Sequence, residues 1–193
     1  MTQPTLPIEF VAYLATSLDG FIAREDGGVD WLDGYQGGDE DYGFVEFMDS
    51  VDWLVMGRNT FEQVLTFGEW PYGNMPVTVI SSKEVKIPEE LKDRVSGFNG
   101  TTEELAQTFS QTGVARVYVD GGQTIRGFLE AGQLTELILT IAPILLGKGI
   151  PLFQGKAEDQ NLKLIKAQGY DSGLVQLKYQ IGEDPTGDTE EPT

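Results

Sequence analysis

Val55-Met-Gly-Arg-Asn-Thr-Phe-Glu62 is the stretch on which the fold turns. The apolar strand Trp53-Leu-Val-Met56 ends there, Gly57 permits a tight turn, and a helix is predicted over Thr60 to Phe67, closed by Gly68. The free backbone N–H groups of a first helical turn, together with the helix dipole, attract anions. Arg58 adds a planar guanidinium fork suited to phosphate. Thr60 offers a hydroxyl that can cap the helix or donate to a phosphate. An ordinary strand-to-helix turn with a surface arginine has the same appearance, so the stretch gains meaning from its company. Val119-Asp-Gly-Gly-Gln-Thr124 repeats the arrangement, with two glycines that let backbone approach a ligand closely. Two such exits in one chain suit a dinucleotide, which has several phosphates to place. Neither is a G-x-G-x-x-G fingerprint or a P-loop.

Outward from these turns, strands and helices alternate. Phe10 to Ala15 reads as a buried strand, and Thr16 to Gly38 as a long Gly- and Asp-rich loop with an apolar island at Phe21-Ile22. Asp41 to Ser50 has the spacing of an amphipathic helix. Strands follow at Pro76–Ile80, Val95–Phe98, Arg116–Asp120 and Leu134–Ala142, and helices at Thr102 to about Thr112 and Thr124 to Ala131. Leu162–Ala167 and Leu174–Ile181 flank a Gly-bearing turn and read as a closing antiparallel hairpin. The pattern predicts an α/β chain with a mostly parallel central sheet covered on both faces. One domain is expected over residues 1–181, with an acidic flexible tail over 182–193. Ligands of such sheets sit beyond the carboxyl ends of the strands. That directs attention to Met56-Gly-Arg58, Ser81-Ser82 and Asp120-Gly-Gly122.

Composition removes several kinds of chemistry. With no cysteine and no histidine among 193 residues, disulfides, thiol nucleophiles, Ser-His-Asp catalysis and the usual zinc sites are excluded. No metal is expected. Acid–base work falls to Asp, Glu, Lys, Tyr or water. A balance of 31 acidic against 13 basic residues, net −18, repels nucleic acid and favours solubility. No apolar run approaches a membrane span. The absence of a signal peptide and of cysteine suits a cytoplasmic protein. Between Arg24 and Arg58 there is no Lys or Arg, so Arg58 reads as an isolated positive charge at a helix start.

In their order and spacing, Met56-Gly-Arg-Asn-Thr-Phe-Glu62, Ile80-Ser-Ser82 and Gly121-Gly122 resemble the dihydrofolate reductase superfamily. Thr16-Ser-Leu-Asp-Gly-Phe-Ile-Ala23, Asp120-Gly-Gly122 and Pro143-Ile-Leu-Leu-Gly-Lys-Gly-Ile-Pro-Leu-Phe153 are similar to one branch of it. That branch holds the C-terminal reductase domain of the bifunctional riboflavin-biosynthesis deaminase–reductase and its stand-alone relatives. The resemblance spans about residues 8 to 181. It implies the three-layer dihydrofolate-reductase-like fold, NADPH as hydride donor, and a pyrimidine- or pterin-like substrate. The reaction would be a 5-amino-6-(5-phosphoribosylamino)uracil-type reduction or dihydrofolate reduction. It further implies that Gly57, Arg58, Asn59 and Thr60 hold cofactor phosphates, and that Ser81, Ser82 and Lys83 stand at the adenosine ribose and its 2′-phosphate. Gly121, Gly122, Gln123, Thr124 and Ile125 would wrap the pyrophosphate, with a cis bond between the two glycines. Ala15 and Ile22 would line the nicotinamide pocket, and the chain would form a homodimer. A nucleotide-binding sensor or interaction protein of the same fold, without turnover, is the competing reading.

Asp41 falls where dihydrofolate reductases carry their substrate-binding carboxylate, so the resemblance makes it the candidate catalytic acid. Asp39-Glu-Asp41 is also a good helix N-cap cluster. Asp19, Asp30 and Asp33 are rival acids in the long loop, Asp19 as a turn residue before Gly20. Trp31 and Trp70 are candidate apolar walls for a planar ring.

Overall fold

Valines at 11, 55, 77, 79, 117 and 119 have no solvent exposure at all. Strands buried on both faces read as continuous apolar runs, and these valines sit where such runs are predicted. The computed structural model describes residues 8–35, 40–154 and 159–182. In it, six strands are parallel: β1 (Glu9–Ser17), β3 (Trp53–Gly57), β4 (Val77–Ile80), β5 (Val95–Phe98), β6 (Arg116–Asp120) and β7 (Leu134–Ala142). The closing hairpin, β9 (Leu162–Gly169) and β10 (Val175–Ile181), adds antiparallel pairing beside β7. The eight-stranded order is β5-β4-β3-β6-β1-β7-β10-β9. A small separate ladder joins β2 (Phe21–Ala23) to β8 (Ile150–Pro151).

Helices cover both faces. On one face, α3 (Thr102–Ser110) and α4 (Gly122–Glu130) bury Leu105, Phe109, Ile125 and Phe128 against Phe10, Val55 and Val119. On the other, α1 (Phe44–Asp49) and α2 (Arg58–Val64) bury Phe47 and Phe61 against Val11, Met56 and Tyr118. This is the expected three-layer arrangement.

Several boundaries differ from the sequence reading, each for a local reason. β1 runs on to Ser17 because β7 pairs with it through Ser17↔Ala142. The loop from Thr16 is shortened further by β2 and by a 3-10 helix at Asp30–Tyr35, which buries Trp31. α1 begins at Phe44, three residues after Asp41, since Tyr42 and Gly43 both take positive φ angles. α2 and α4 each begin two residues early, at Arg58 and Gly122, directly after Gly57 and Gly121. α2 gives way to a 3-10 turn at Leu65–Phe67, and Gly68 then leaves helical geometry with φ 88°. Residues 183–193 of the expected tail lie outside the described residues.

A charged ladder crosses four adjacent strands on one face. Arg116 of β6 pairs with Glu9 of β1 and with Glu136 of β7 at 2.6 Å, and Lys178 of β10 reaches Glu136 at 3.0 Å. The Arg116 and Glu136 side chains are only 19% and 17% exposed, so each relies on its partner for compensation. Replacing Arg116 by Met should lower unfolding free energy by about 1–3 kcal/mol. Lys178→Met should cost less, its side chain being 34% exposed. Urea denaturation of the two variants beside the wild type checks both magnitude and rank.

Candidate functional site

β3 and β6 are neighbours, pairing Met56 with Asp120, yet the chain leaves them toward opposite faces. α2 follows β3 onto one face, and α4 follows β6 onto the other. A crevice therefore opens at the carboxyl ends of these two strands, the usual ligand position in open α/β sheets. β4 lies on the far side of β3 with Gly57 opposite Ile80, so Ser81 emerges at the same edge.

The two turns interlock. A Cβ at Gly57 would stand 2.9 Å from Thr124 Oγ1, and a Cβ at Gly121 would clash with Thr60 Oγ1. Each turn thus places its threonine against the other turn's glycine. Gly121 has φ 88° and ψ 129°, a conformation that strongly favours glycine. This positive φ makes the turn without a cis peptide: none occurs among the described residues, and the expected cis bond between Gly121 and Gly122 is absent.

The first turns of α2 and α4 have no side-chain cap. α3 differs, closed by a reciprocal capping box of Thr101 and Glu104, and α1, whose N-cap Gly43 has no side chain, gives its Val45 N–H to Asp41. Uncapped N–H groups at the crevice are available to an anion. The residues expected there divide by role. Gly57, Thr60, Gly121 and Gly122 build the crevice wall. Asn59 and Gln123 are exposed beside it. Thr124 and Ile125 have buried side chains, and the Ile125 N–H donates to the Gly121 carbonyl at 2.9 Å. Ile125 therefore anchors α4 in the core and has no free donor for a ligand. Arg58 is not an isolated charge, because its Nη1 donates to Glu62 Oε1 one turn on, at 2.7 Å. That pair is half-exposed, and exposed pairs of this kind exchange partners at little cost. Ser81 Oγ accepts the Lys83 N–H at 3.0 Å, and Ser82 and Lys83 are exposed.

Ile22 reaches the crevice from β2: its Cδ1 would clash with a Cβ at Gly122. Ala15 packs against the cluster of Trp31, Ala142 and Leu174. Two of the three rival acids, Asp19 and Asp30, have structural partners. Asp19 accepts the Leu146 and Gly147 N–H groups at 3.1 and 2.7 Å, tethering the loop after β7. Asp30 forms a two-bonded pair with Arg24 at 2.6 and 2.8 Å.

Asp41 is exposed, and its two carboxylate oxygens accept the Gly43 and Val45 N–H groups, both at 3.0 Å. Those bonds hold its carboxyl below the usual range. The geometry gives Asp41 the capping role that its sequence position also allowed.

The acid inside the crevice is Asp120, the last residue of β6. Its Oδ1 accepts the Gly121 N–H at 2.7 Å, and its Oδ2 faces the Tyr72 hydroxyl at 3.4 Å. Burial raises its pKa, against the opposing pull of Gly121, Tyr72 and Tyr118. Burial and the neighbouring Asp120 charge push Tyr72 up strongly. Tyr118 donates to the Tyr13 carbonyl at 3.0 Å, and burial lifts Tyr13 itself to about 12. Phe47 stacks on Tyr13 at 4.8 Å and meets Tyr118 edge-on at 4.9 Å. A part-buried acid beside an aromatic wall thus adjoins the two uncapped helix starts. In the sequence Asp120 looks like a turn acid before two glycines, and Tyr72 carries no motif; their meeting is purely tertiary.

Comparison with known proteins agrees with this geometry. The RibD C-terminal domain family model matches residues 10–176. The protein YwjB of Bacillus subtilis (strain 168), itself uncharacterised, is 32% identical over 172 residues, covering 88% of this chain and 95% of that one. A crystal structure from Shewanella sp. PV-4, provisionally named a riboflavin biosynthesis protein, superposes with TM-score 0.85 at 36% identity, covering 91% of this chain and 100% of that one. Dihydrofolate reductase from Enterococcus faecalis, complexed with NADP(H), shares the fold with TM-score 0.61 at 17% identity, covering 91% and 97%. Carrying the strand-exit turns in the family's order on the dihydrofolate-reductase-like sheet, this chain belongs to the RibD C-terminal domain family.

Proposed function

We propose that this protein is an NADPH-dependent reductase of a pyrimidine- or pterin-like ring. The observation that carries the reading is the pair of interlocked, uncapped helix starts at Gly57 and Gly121, with the part-buried acid Asp120 between their strands. The backbone donors fit the phosphates of a dinucleotide. NADPH, when bound, supplies the hydride. The family and the NADP(H) complex of the Enterococcus faecalis protein support that choice of cofactor.

The chain's own residues have the following roles in this reading. Arg58, Asn59 and Thr60 hold one phosphate group with the first turn of α2. Gly122 and Gln123 hold another with the first turn of α4, while Gly121, its N–H given to Asp120, shapes the turn. Ser81, Ser82 and Lys83 stand at the neighbouring strand exit, within the adenosine end of an extended dinucleotide. Ile22 packs over Gly122 and keeps water from that wall. Asp120 receives the polar edge of the substrate ring, and its raised pKa lets Oδ2 hold a proton toward the reduced bond. Tyr72 orients that oxygen.

Two outcomes follow. Arg58→Ala should weaken NADPH binding about tenfold, one charge-assisted phosphate contact being lost; titration of NADPH fluorescence measures this, and equal affinity rejects the assigned grip. Asp120→Asn should reduce turnover far more than it changes NADPH affinity. It should also flatten the pH dependence of stability. Because the folded pKa is raised, the folded protein binds the proton more tightly than the unfolded chain. Wild-type stability therefore declines as pH rises from the ordinary carboxylate range through the raised pKa. Asn at 120 removes that decline, so melting temperatures of the two proteins should diverge upward in pH in favour of the variant.

A further inference from the structure

Three of the five arginines, Arg24, Arg58 and Arg116, pair with carboxylates. Arg94 donates to the Gly73 carbonyl and stands just before β5, at the amino end of the sheet. Arg126 is different in both respects. It lies in α4 near the carboxyl-end crevice, it is half-buried, and among the described residues it has no carboxylate partner. Its Nη1 donates to the Pro151 carbonyl at 2.8 Å and, at longer range, to the Leu152 carbonyl at 3.4 Å. Leu152 is fully buried and its own N–H donates to the Gly20 carbonyl at 2.9 Å, so this anchor is fixed. Nε and Nη2 make no bond among the described residues. That edge of a guanidinium is a fork that can meet two phosphate oxygens at once.

Arg126 follows Gly122 by four residues and so lies one turn along the same face of α4. Helical side chains lean toward the N-terminus. Accordingly, Nη1 stands 3.6 Å from the point that a Cβ at Gly122 would occupy. The guanidinium therefore sits beside the start of α4, whose first turn has no acidic residue and no side-chain cap. Asp120, just before that turn, has one oxygen on the Gly121 N–H and the other facing Tyr72. A cation at the positive end of a helix dipole is repelled by it. Half-burial also strips part of its hydration, which the two carbonyls restore only at Nη1. An anion at this place would offset both costs.

We propose that Arg126 is a further cofactor-binding residue, its free guanidinium edge holding the diphosphate of NADPH beside Gly122 while Nη1 stays on the Pro151 carbonyl. The inference rests on the NADPH reading above and deepens it. It adds a cation that the strand-exit motifs leave out, because Arg126 lies one turn beyond the glycines. Its bond to Pro151 also ties the phosphate grip to the β2–β8 ladder that carries Ile22.

Two variants of the full chain separate this role from a purely structural tie. Arg126→Gln keeps an N–H donor for the Pro151 carbonyl and removes the charge. Arg126→Lys keeps the charge and removes the fork. By NADPH fluorescence titration the Gln variant should bind about tenfold more weakly than wild type, with the Lys variant between them. Ligand-free melting temperatures should stay close to wild type. Added salt should narrow the gap between wild type and the Gln variant. A Gln variant with wild-type affinity overturns the proposal, and so does a Lys variant no better than Gln. Labelling of wild-type Arg126 by phenylglyoxal, mapped by mass spectrometry, needs no variant to fold. It should slow when NADPH saturates the protein, and an unchanged rate overturns the proposal. Failure of the wild type to bind NADPH overturns the cofactor reading itself, and is told apart because wild-type titration precedes every comparison.

Discussion

The reciprocal contact between two strand-exit turns is the constraint on which the site depends. Thr124 occupies the space over Gly57, and Thr60 occupies the space over Gly121. Neither turn can move without the other. The contact exists because β3 and β6 are adjacent while their following helices go to opposite faces. It keeps the starts of α2 and α4 side by side, with their uncapped N–H groups at one edge of the sheet. A side chain larger than hydrogen at either glycine would separate them, and with them the anion-attracting ends of both helices.

That geometry also fixes the environment of Asp120. The residue that ends β6 pairs with Met56 and is followed at once by the constrained Gly121, whose N–H it accepts. Its side chain is held on the α1 face, among tyrosines whose hydroxyl groups face it or donate to nearby backbone. The opposite face holds α4 and the apolar core under it. One short run, Asp120-Gly-Gly122, therefore contributes to both halves of the crevice. Gly122 opens the backbone-donor wall, Gly121 shapes the turn, and the carboxyl stands at the aromatic one.

Much of this was legible in the sequence, and the division follows the physics. Parallel strands buried on both faces leave apolar runs, so Trp53–Gly57 and Arg116–Asp120, with their buried Leu-Val-Met and Val-Tyr-Val centres, stand where composition places them. The strand exits were legible because local backbone chemistry builds them: a glycine, a helix start and a phosphate-compatible side chain are consecutive in the chain. β8 was not, since two residues such as Ile150-Pro151 form a strand only through their partner β2. The setting of Asp120 was not legible for the same reason. Asp41 and Asp120 each precede a glycine within two residues. What separates a cap from a part-buried acid is Tyr72, 48 residues from Asp120, and no local pattern records that contact.

The acidic character of the chain acts differently on the two sides of the crevice. On the cofactor side, backbone dipoles supply positive potential without using a charged residue, so a chain with only 13 basic residues can still favour an anion there. Arg58 reinforces that potential only by giving up Glu62, which is possible because the pair is exposed and weak. On the α1 face carboxylates are more frequent: Asp120 faces the Tyr72 hydroxyl, and Asp49 and Asp52 lie farther along that face. The positive potential at the two helix starts is therefore local, set by backbone within one turn and not by the net charge of the chain. Asp120 joins the two sides, with one oxygen on the Gly121 N–H and the other facing Tyr72.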